Sequence, residues 1–289
     1  MLWGRVAAAD LANKGPKGQD DLRRSIGQPR PESWGNWLSL DRWVPYRSGG
    51  PVSCRVFCFP HAAGSASFYR SLRDVMPAGI DFCPLELPGR AARLAEPPIT
   101  DIGALLANLS GLLRPLMNVP FAFFGHSTGA AIAYRAAHAL RAADGRRALH
   151  LFVSARAAPG SGETSLASLS DAQLLVALKR FGGTPDAVMA RGELVAPLLA
   201  AMRADLALGQ SCAAAGQRLA APITAFGGTD DAIDRPSLQA WRSFTTGSFR
   251  LRLFAGGHFY LTRSVEVVAA EIAEDLSQAL GGERISEAG

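Results

Sequence analysis

The feature that most constrains this chain is a serine enclosed between a strand pattern and a helix pattern. Residues 121–124 form an apolar run with the length and composition of a strand buried on both faces. The run ends at G-H-S-T-G, residues 125–129, and an alanine-rich helix pattern follows over 130–140. A turn this tight leaves no room for side chains two residues before and after the serine, hence the two glycines. The pattern predicts a nucleophile elbow that holds Ser127 in a strained backbone with its hydroxyl exposed.

The residue after the serine, Thr128, is expected to open the helix. The first N–H groups of a helix have no partner within it, and the helix dipole adds positive potential there. Such an amide is suited to negative charge. We therefore predict that the Thr128 N–H is one donor of an oxyanion hole, the pair of amides that stabilises charge on a reacting carbonyl oxygen.

A second oxyanion donor is predicted after an earlier strand. Residues 55–59 read as a buried strand, and P-H-A-A-G-S at 60–65 follows. In enzymes with a nucleophile elbow, this loop supplies the other oxyanion amide. Small residues there let the backbone approach the substrate closely. Ala62 is the predicted donor, and its neighbour Ala63 remains open as the alternative.

Strand and helix patterns alternate along most of the chain. Strand patterns lie at 55–59, 81–87, 121–124, 149–154, 222–226 and 249–254, and helix patterns at 67–76, 101–117, 130–140 and 264–280. Alternation predicts a parallel sheet with right-handed crossovers. Combined with the elbow, it predicts an α/β fold, namely an α/β-hydrolase with a mostly parallel central sheet flanked by helices.

The segment 161–220 breaks this alternation. It carries helix patterns at 169–180, 185–190 and 193–208 and no strand pattern. We expect a helical lid insertion over the active edge of the sheet, which shapes an acyl pocket and excludes water. Residues 1–33 show no sustained period and are predicted to be a disordered or loosely packed tail. The predicted hydrolase domain is 34–289.

A serine hydroxyl needs an imidazole to take its proton and an acid to hold that imidazole's tautomer. In this fold the chain order is Ser, Asp, His. His258 lies on a glycine-flanked loop after the last strand, where the general base belongs. The loop after the preceding strand carries Asp230, Asp231 and Asp234. We predict Ser127, Asp231 and His258 as the catalytic residues, with Asp230 as the alternative acid.

Composition argues against several other classes. The chain is 48% hydrophobic, and no apolar run approaches the roughly 18 residues that span a bilayer. Despite a net charge of +5, it has no basic run or aromatic–basic interleaving that favours nucleic acid. The four cysteines, Cys54, Cys58, Cys83 and Cys212, lack metal or redox spacing and are predicted to be buried free thiols. We expect a cytoplasmic protein with no metal and with neither a nucleic-acid nor a membrane partner.

Together these segments resemble one family, the stand-alone type II thioesterases of polyketide and non-ribosomal peptide synthesis. The resemblance is carried by FPHAAGSASFY (59–69), LPGR (87–90), FGHSTGA (124–130), LKRFGGTP (178–185), FGGTDD (226–231) and GGHFY (256–260). It implies hydrolysis of acyl groups from the phosphopantetheine arm of an acyl or peptidyl carrier protein, which clears stalled or wrong units. It implies no cofactor of the enzyme's own, and we expect a monomer.

Two residues depart from that family's usual pattern. The family usually has Met or Leu after the nucleophile, where this chain has the β-branched Thr128, and usually Gly where this chain has Ala63. Neither change removes a catalytic group. Two alternatives remain open: a small-molecule carboxylesterase with the same triad, and a non-catalytic hydrolase-like binding protein.

Overall fold

The structure, a computed structural model, describes residues 39–48, 50–161, 166–181, 191–211 and 218–281. The predicted tail at 1–33 and the predicted helix at 185–190 lie outside the described residues. From Leu40 onward the chain forms one compact unit.

A six-stranded sheet forms the centre of this unit, and all its neighbouring strands pair in parallel. The strands are β1 (Cys54–Phe59), β2 (Ile80–Pro84), β3 (Phe121–His126), β4 (Leu151–Ser154), β5 (Ile223–Gly228) and β6 (Phe249–Phe254). Their order across the sheet is β2-β1-β3-β4-β5-β6. Strands β2 to β5 are buried along their whole length, as expected for a parallel sheet covered on both faces. The predicted α/β-hydrolase architecture is confirmed.

Helices connect the strands and cover both faces of the sheet. They are α1 (Leu40–Trp43), α2 (Arg70–Asp74), α3 (Ile102–Leu113), α4 (Thr128–Asp144), α5 (Asp171–Phe181), α6 (Gly192–Ser211), α7 (Arg235–Gln239) and α8 (Val265–Ala279). Short 3-10 turns lie at Ala66–Tyr69, Ala91–Arg93, Arg114–Leu116, Leu166–Ser168, Ala240–Phe244 and Tyr260–Thr262. Helix α3 begins where the Asp101 carboxylate caps the Ala104 amide at 2.7 Å.

Strand β2 is shorter than the predicted run 81–87. Its register against β1 ends with the pair Cys58 and Pro84. The Leu85 amide still donates to the Cys58 carbonyl at 2.9 Å, but the Glu86 amide donates to the Trp43 carbonyl instead, so the ladder with β1 goes no further. The predicted helix 67–76 is likewise reduced to a 3-10 turn followed by the five residues of α2.

Three apolar clusters hold the elements together. The largest packs α3 and α4 on one face of the sheet, and a second packs α2 and α8 on the other. A third joins the loop after β1 to the two helices between β4 and β5. It consists of Ala62, Leu174, Leu178, Met202 and Leu206. Helices α5 and α6 therefore lie against the loop predicted to carry an oxyanion amide.

Two further features bear on the sequence predictions. Cys54, Cys58 and Cys83 are buried free thiols, as predicted, and burial raises the pKa of Cys54 to about 12; Cys212 lies outside the described residues. Within the described ranges, no helix has the length and apolar character to cross a membrane. In the same part of the chain, no group of three or more His, Cys, Asp or Glu residues could hold a metal ion.

Candidate active site

Ser127 lies at the junction of β3 and α4 in a strained backbone conformation. Its φ is 54° and its ψ is −122°, a region that non-glycine residues rarely adopt. The Ser127 amide donates to the Ser154 carbonyl at the end of β4, at 2.7 Å. Unlike its neighbours in β3, Ser127 is only half-buried. This is the backbone geometry expected of a nucleophile elbow at the carboxyl edge of a sheet.

The two glycines of the elbow are required by close backbone packing. A β-carbon on Gly125 would lie 2.3 Å from the Gly129 carbonyl oxygen. A β-carbon on Gly129 would lie 2.1 Å from the carbonyl oxygen of Phe59, at the end of β1. Any side chain at either position would force the backbone apart. The same packing places the loop after β1 directly beside the elbow.

Thr128 is the first residue of α4, so its N–H has no partner within the helix. Its side chain is buried, 2% exposed, and faces the helix α6. A β-carbon built on Gly209 of α6 would lie 2.9 Å from Thr128 Cγ2. The residue after the nucleophile is therefore in direct contact with α6.

The loop after β1 forms a tight turn over residues 61–64. The Gly64 amide donates to the His61 carbonyl at 2.8 Å, and Ala63 at the third position has φ 57°. Turns of this kind with a positive φ at the third position favour glycine there. In a trans peptide the N–H points away from the carbonyl. Because the His61 carbonyl faces Gly64, the Ala62 N–H points out of the turn.

The structure separates the two candidate donors in this turn. The Ala63 amide donates to the Asp205 carboxylate of α6 at 2.8 Å, so it is already engaged. Among the described residues, the Ala62 amide makes no hydrogen bond. Of the two, Ala62 is therefore the amide available to a substrate oxygen.

Asp231 and His258 meet at the ends of β5 and β6. The His258 Nδ1 atom lies 2.9 Å from Asp231 Oδ2 and 3.2 Å from Oδ1. The Asp231 side chain is 1% exposed and that of His258 is 12% exposed. A carboxylate accepts a hydrogen bond from the N–H at Nδ1, and in this tautomer Nε2 carries the lone pair that a general base needs.

The alternative acid, Asp230, has different contacts. It is exposed, and its carboxylate accepts from the Thr229 hydroxyl at 3.2 Å. Its backbone amide donates to the Gly256 carbonyl at 2.9 Å and so ties the two loops together. The geometry thus favours Asp231 over Asp230 as the partner of His258.

Two further histidines, His61 and His126, lie near His258. Burial lowers the pKa of both, which keeps both in the neutral form. Burial, reinforced by His258 and His61, keeps the pKa of His126 well below its ordinary value. Burial lowers the pKa of His61 to about 3, with smaller contributions from His258 and Arg90. The His126 ring lies 5.3 Å from the His258 ring, centroid to centroid. Because His126 directly precedes Ser127, this contact places His258 beside the elbow.

His126 is held in turn by a buried chain of hydroxyl groups. Its Nδ1 atom lies 2.8 Å from the Ser154 hydroxyl, which lies 2.7 Å from the Tyr260 hydroxyl. Tyr260 is two residues beyond His258, so the chain joins the elbow strand to the histidine loop. No local sequence pattern marks this network, so it was not predicted.

Asp205 and Arg90 are two further residues near the site that were not predicted from the sequence. Asp205 is 2% exposed on α6, and Arg90 of the L-P-G-R segment is 5% exposed. The one available signal was an acidic residue within an apolar helical segment, since buried carboxylates occur mainly where they are paired. Nothing in the local sequence identifies Arg90 as the partner.

Comparison with known proteins shows a family to which the chain as a whole is similar. Residues 54–277 match a family model described as "Thioesterase domain". The chain is 36% identical over 230 residues to the gramicidin S biosynthesis protein GrsT of Aneurinibacillus migulanus. The match covers 78% of this chain and 90% of that protein. It is 31% identical over 239 residues to the thioesterase PikA5 of Streptomyces venezuelae, with 81% and 85% covered.

Solved structures give the same result. The type II thioesterase BorB from the borrelidin biosynthetic cluster superposes with a TM-score of 0.73 at 36% identity, over 82% of this chain and 98% of that one. The RedJ thioesterase of the prodiginine pathway in Streptomyces coelicolor superposes with a TM-score of 0.70 at 31% identity, over 86% of this chain and 99% of that one.

Proposed function

The chain belongs to the thioesterase domain family, and on that premise we propose that it is a type II serine thioesterase of polyketide or non-ribosomal peptide synthesis. In this role it hydrolyses acyl groups from the phosphopantetheine arm of an acyl or peptidyl carrier protein, and so removes stalled or wrong units. Relatives from gramicidin S, borrelidin and prodiginine biosynthesis support that setting.

The observation that carries the proposal is the contact between His258 Nδ1 and the Asp231 carboxylate, 2.9 Å long, beside the strained Ser127. An imidazole oriented by a carboxylate can take the proton of a serine hydroxyl. These three side chains come from the ends of three different strands. We assign Ser127 as nucleophile, His258 as base and Asp231 as the acid that orients it.

The reaction proceeds in two halves. Ser127 Oγ attacks the thioester carbonyl carbon while His258 Nε2 takes the hydroxyl proton. The tetrahedral intermediate then collapses: the carbon–sulfur bond breaks, His258 gives its proton to the departing sulfur, and an acyl-Ser127 ester remains. Water attacks this ester with His258 again as base, which releases the carboxylic acid and restores Ser127.

The charge that develops on the carbonyl oxygen is assigned to two amides, those of Ala62 and Thr128. Both are backbone groups fixed before substrate arrives, so they need no reorganisation during the reaction. Loss of one such donor costs about 2.7–4 kcal/mol of transition-state stabilisation. Protein groups and water suffice for this reaction, so the proposal assigns no cofactor to the enzyme.

The acyl chain is assigned to the apolar side of the turn. Ala62 packs with leucine and methionine side chains of α5 and α6, the helices of the 161–220 insertion. An apolar surrounding strengthens the electrostatic contacts inside it and keeps bulk water from the acyl-enzyme. The three buried free thiols fit a reducing compartment, and we place the enzyme in the cytoplasm.

Two substrates with the same acyl group test the proposal. Thiol release from an acyl-phosphopantetheinyl carrier protein is compared with hydrolysis of the matching p-nitrophenyl ester, for wild type and Ser127→Ala. We expect kcat/KM to favour the carrier by at least about tenfold and Ser127→Ala to lose about 10⁶ of the turnover. Equal rates of thiol release by wild type and Ser127→Ala would refute the assignment of Ser127 as the nucleophile. A preference for the free ester would instead indicate a carboxylesterase.

A further inference from the structure

A buried ion pair joins the loop after β2 to the helix α6. Arg90 Nη1 lies 2.5 Å from Asp205 Oδ2, and Arg90 Nη2 lies 2.9 Å from Asp205 Oδ1, across 115 residues of sequence. Both residues are buried. A buried ion pair is weak evidence for stability by itself, because removing two charges from water offsets much of their attraction. The other contacts of the pair therefore indicate its role.

Both partners of the pair also bind the turn that carries Ala62. The Asp205 carboxylate accepts the Ala63 amide at 2.8 Å, and Arg90 Nη1 donates to the Gly64 carbonyl at 3.2 Å. The turn is closed internally by the bond from the Gly64 amide to the His61 carbonyl. The ion pair thus holds one backbone group on each of two successive residues of the turn, through one partner each.

These contacts fix the direction of the proposed oxyanion donor. The Ala62 N–H belongs to the peptide between His61 and Ala62, and the next peptide along the chain is the one that Asp205 holds. Ala63 adopts a positive φ that a non-glycine residue occupies only at a cost in free energy. Loss of the carboxylate would leave the Ala63 amide without its acceptor, and the strained φ of Ala63 would then favour relaxation of the turn that orients the Ala62 N–H.

The two partners differ in how they are held. Arg90 Nε and Nη2 also donate to the Pro88 carbonyl of its own loop, each at 3.3 Å. Asp205 reaches the turn from α6, a helix of the inserted segment. Of the two, Asp205 is therefore the residue whose position depends on how α6 is docked.

We propose that Asp205 and Arg90 are positioning residues for the oxyanion turn, so that the oxyanion hole is complete only while α6 is docked on the turn. The helix that covers the acyl group would then also set the geometry of the charge-stabilising amide. This inference rests on the proposed function, since it assigns a role within the same reaction.

The test compares Asp205→Ala and Asp205→Asn with wild type in thiol release from an acyl-phosphopantetheinyl carrier protein. Removal of the carboxylate should lower kcat by about 30- to 100-fold, and the amide, which keeps one acceptor for Ala63, by about tenfold. KM should change less than about threefold. The inhibition constant of an acyl trifluoromethyl ketone, which forms an oxyanion on Ser127, should rise in parallel with the loss of kcat/KM.

The matched control is Asp275→Asn. Asp275 is also buried and paired with an arginine, Arg250, but at the amino ends of β5 and β6, away from the site. It should lose stability while kcat stays within about twofold of wild type. Thermal unfolding of all variants is recorded alongside.

Three results would overturn the inference: kcat of both Asp205 variants within twofold of wild type, unchanged ketone affinity despite lower kcat, or two Asp205 variants that fail to fold while Asp275→Asn folds. If wild type hydrolyses the thioester and Ser127→Ala does not, any of these results removes this inference alone. If wild type hydrolyses no thioester, the proposed function itself fails.

Discussion

Thr128 and Gly209 pack so closely that a single methyl group at position 209 would not fit. A β-carbon there would lie 2.9 Å from Thr128 Cγ2, nearer than side-chain carbons approach each other in proteins. Since Thr128 follows the nucleophile and Gly209 is on α6, the contact joins the covering helix to the elbow itself. The two residues therefore determine together how closely the helix approaches Ser127.

We expect Gly209→Ala to lower kcat/KM by about tenfold, because α6 must shift away from Thr128 to accept the methyl group. The double variant Thr128→Ser/Gly209→Ala, which lacks the obstructing Cγ2 atom, should recover most of that loss. Gly111→Ala on α3 is the control, because a β-carbon there meets nothing within 4 Å. Thiol-release kinetics on one acyl carrier protein measure all three; no recovery in the double variant would argue against the contact as the cause.

The strained backbone of the turn at residues 61–64 leads to a second prediction. Ala63 has φ 57°, so Ala63→Gly should relieve strain and raise the free energy of unfolding by about 1 kcal/mol. For a domain of this size, that corresponds to a rise in Tm of roughly 2–4 °C. Ala62 has no positive φ, and Ala62→Gly should lower stability by about 0.4–1 kcal/mol. Urea unfolding of the two variants gives the free energy of unfolding of each. A similar loss of that free energy in both variants would exclude strain at Ala63.

The neighbouring acids after β5 provide a matched pair. Asp231→Asn should lower kcat by about 10⁴, because the amide favours the wrong tautomer of His258. Asp230→Asn should stay within about threefold of wild type, since that carboxylate is exposed and bonds to Thr229. Steady-state hydrolysis of an acyl-pantetheine thioester distinguishes them. The reverse order of effects would move the acid to Asp230.

The raised pKa of the buried Glu86 carboxyl leads us to expect a pH dependence of stability. Burial raises its pKa to about 7, from 4.5, although a hydrogen bond from Ala66 and the charges of Arg90 and Arg93 oppose the shift. A raised carboxyl pKa means that the folded state holds the proton more tightly. The resulting stabilisation is fully present below pH 4.5 and is lost as the pH rises through about 7.

We therefore expect Glu86→Gln to match wild type near pH 4.5 and to exceed it by about 2–3 kcal/mol at pH 8. The amide has the shape of the protonated acid and keeps an acceptor for the Ala66 amide. Urea unfolding at both pH values is the measurement. An equal difference between the two proteins at pH 4.5 and pH 8 would show that Glu86 does not titrate between them.

Much of the fold follows from local sequence patterns. The continuous apolar runs identify the strands of a parallel sheet because both faces are covered. Gly125 is required by packing against Gly129, four residues further on, whereas Gly129 is required by its close approach to the Phe59 carbonyl of β1. The general base and its acid were predicted from their places after the last two strands, and the structure brings Asp231 and His258 together.

The contacts that were not predicted from the sequence are those between residues far apart along the chain. Arg90 and Asp205 are 115 residues apart, and the hydroxyl chain from His126 through Ser154 to Tyr260 spans three elements. Helical or strand periodicity carries no information about such pairings. The choice between the Ala62 and Ala63 amides likewise depended on a carboxylate from a distant helix.

Titration of the active serine with a fluorophosphonate whose alkyl chain matches the acyl chain of the substrate tests directly whether Ser127 is the nucleophile. Labelled sites are located by peptide mass spectrometry, and thiol release from the acyl carrier protein is followed in the same samples. We expect one label per chain on the peptide containing Ser127, activity lost in proportion to labelling, and labelling slowed by at least about 10³ in His258→Ala. Full labelling of Ser127 with undiminished thiol release would contradict it.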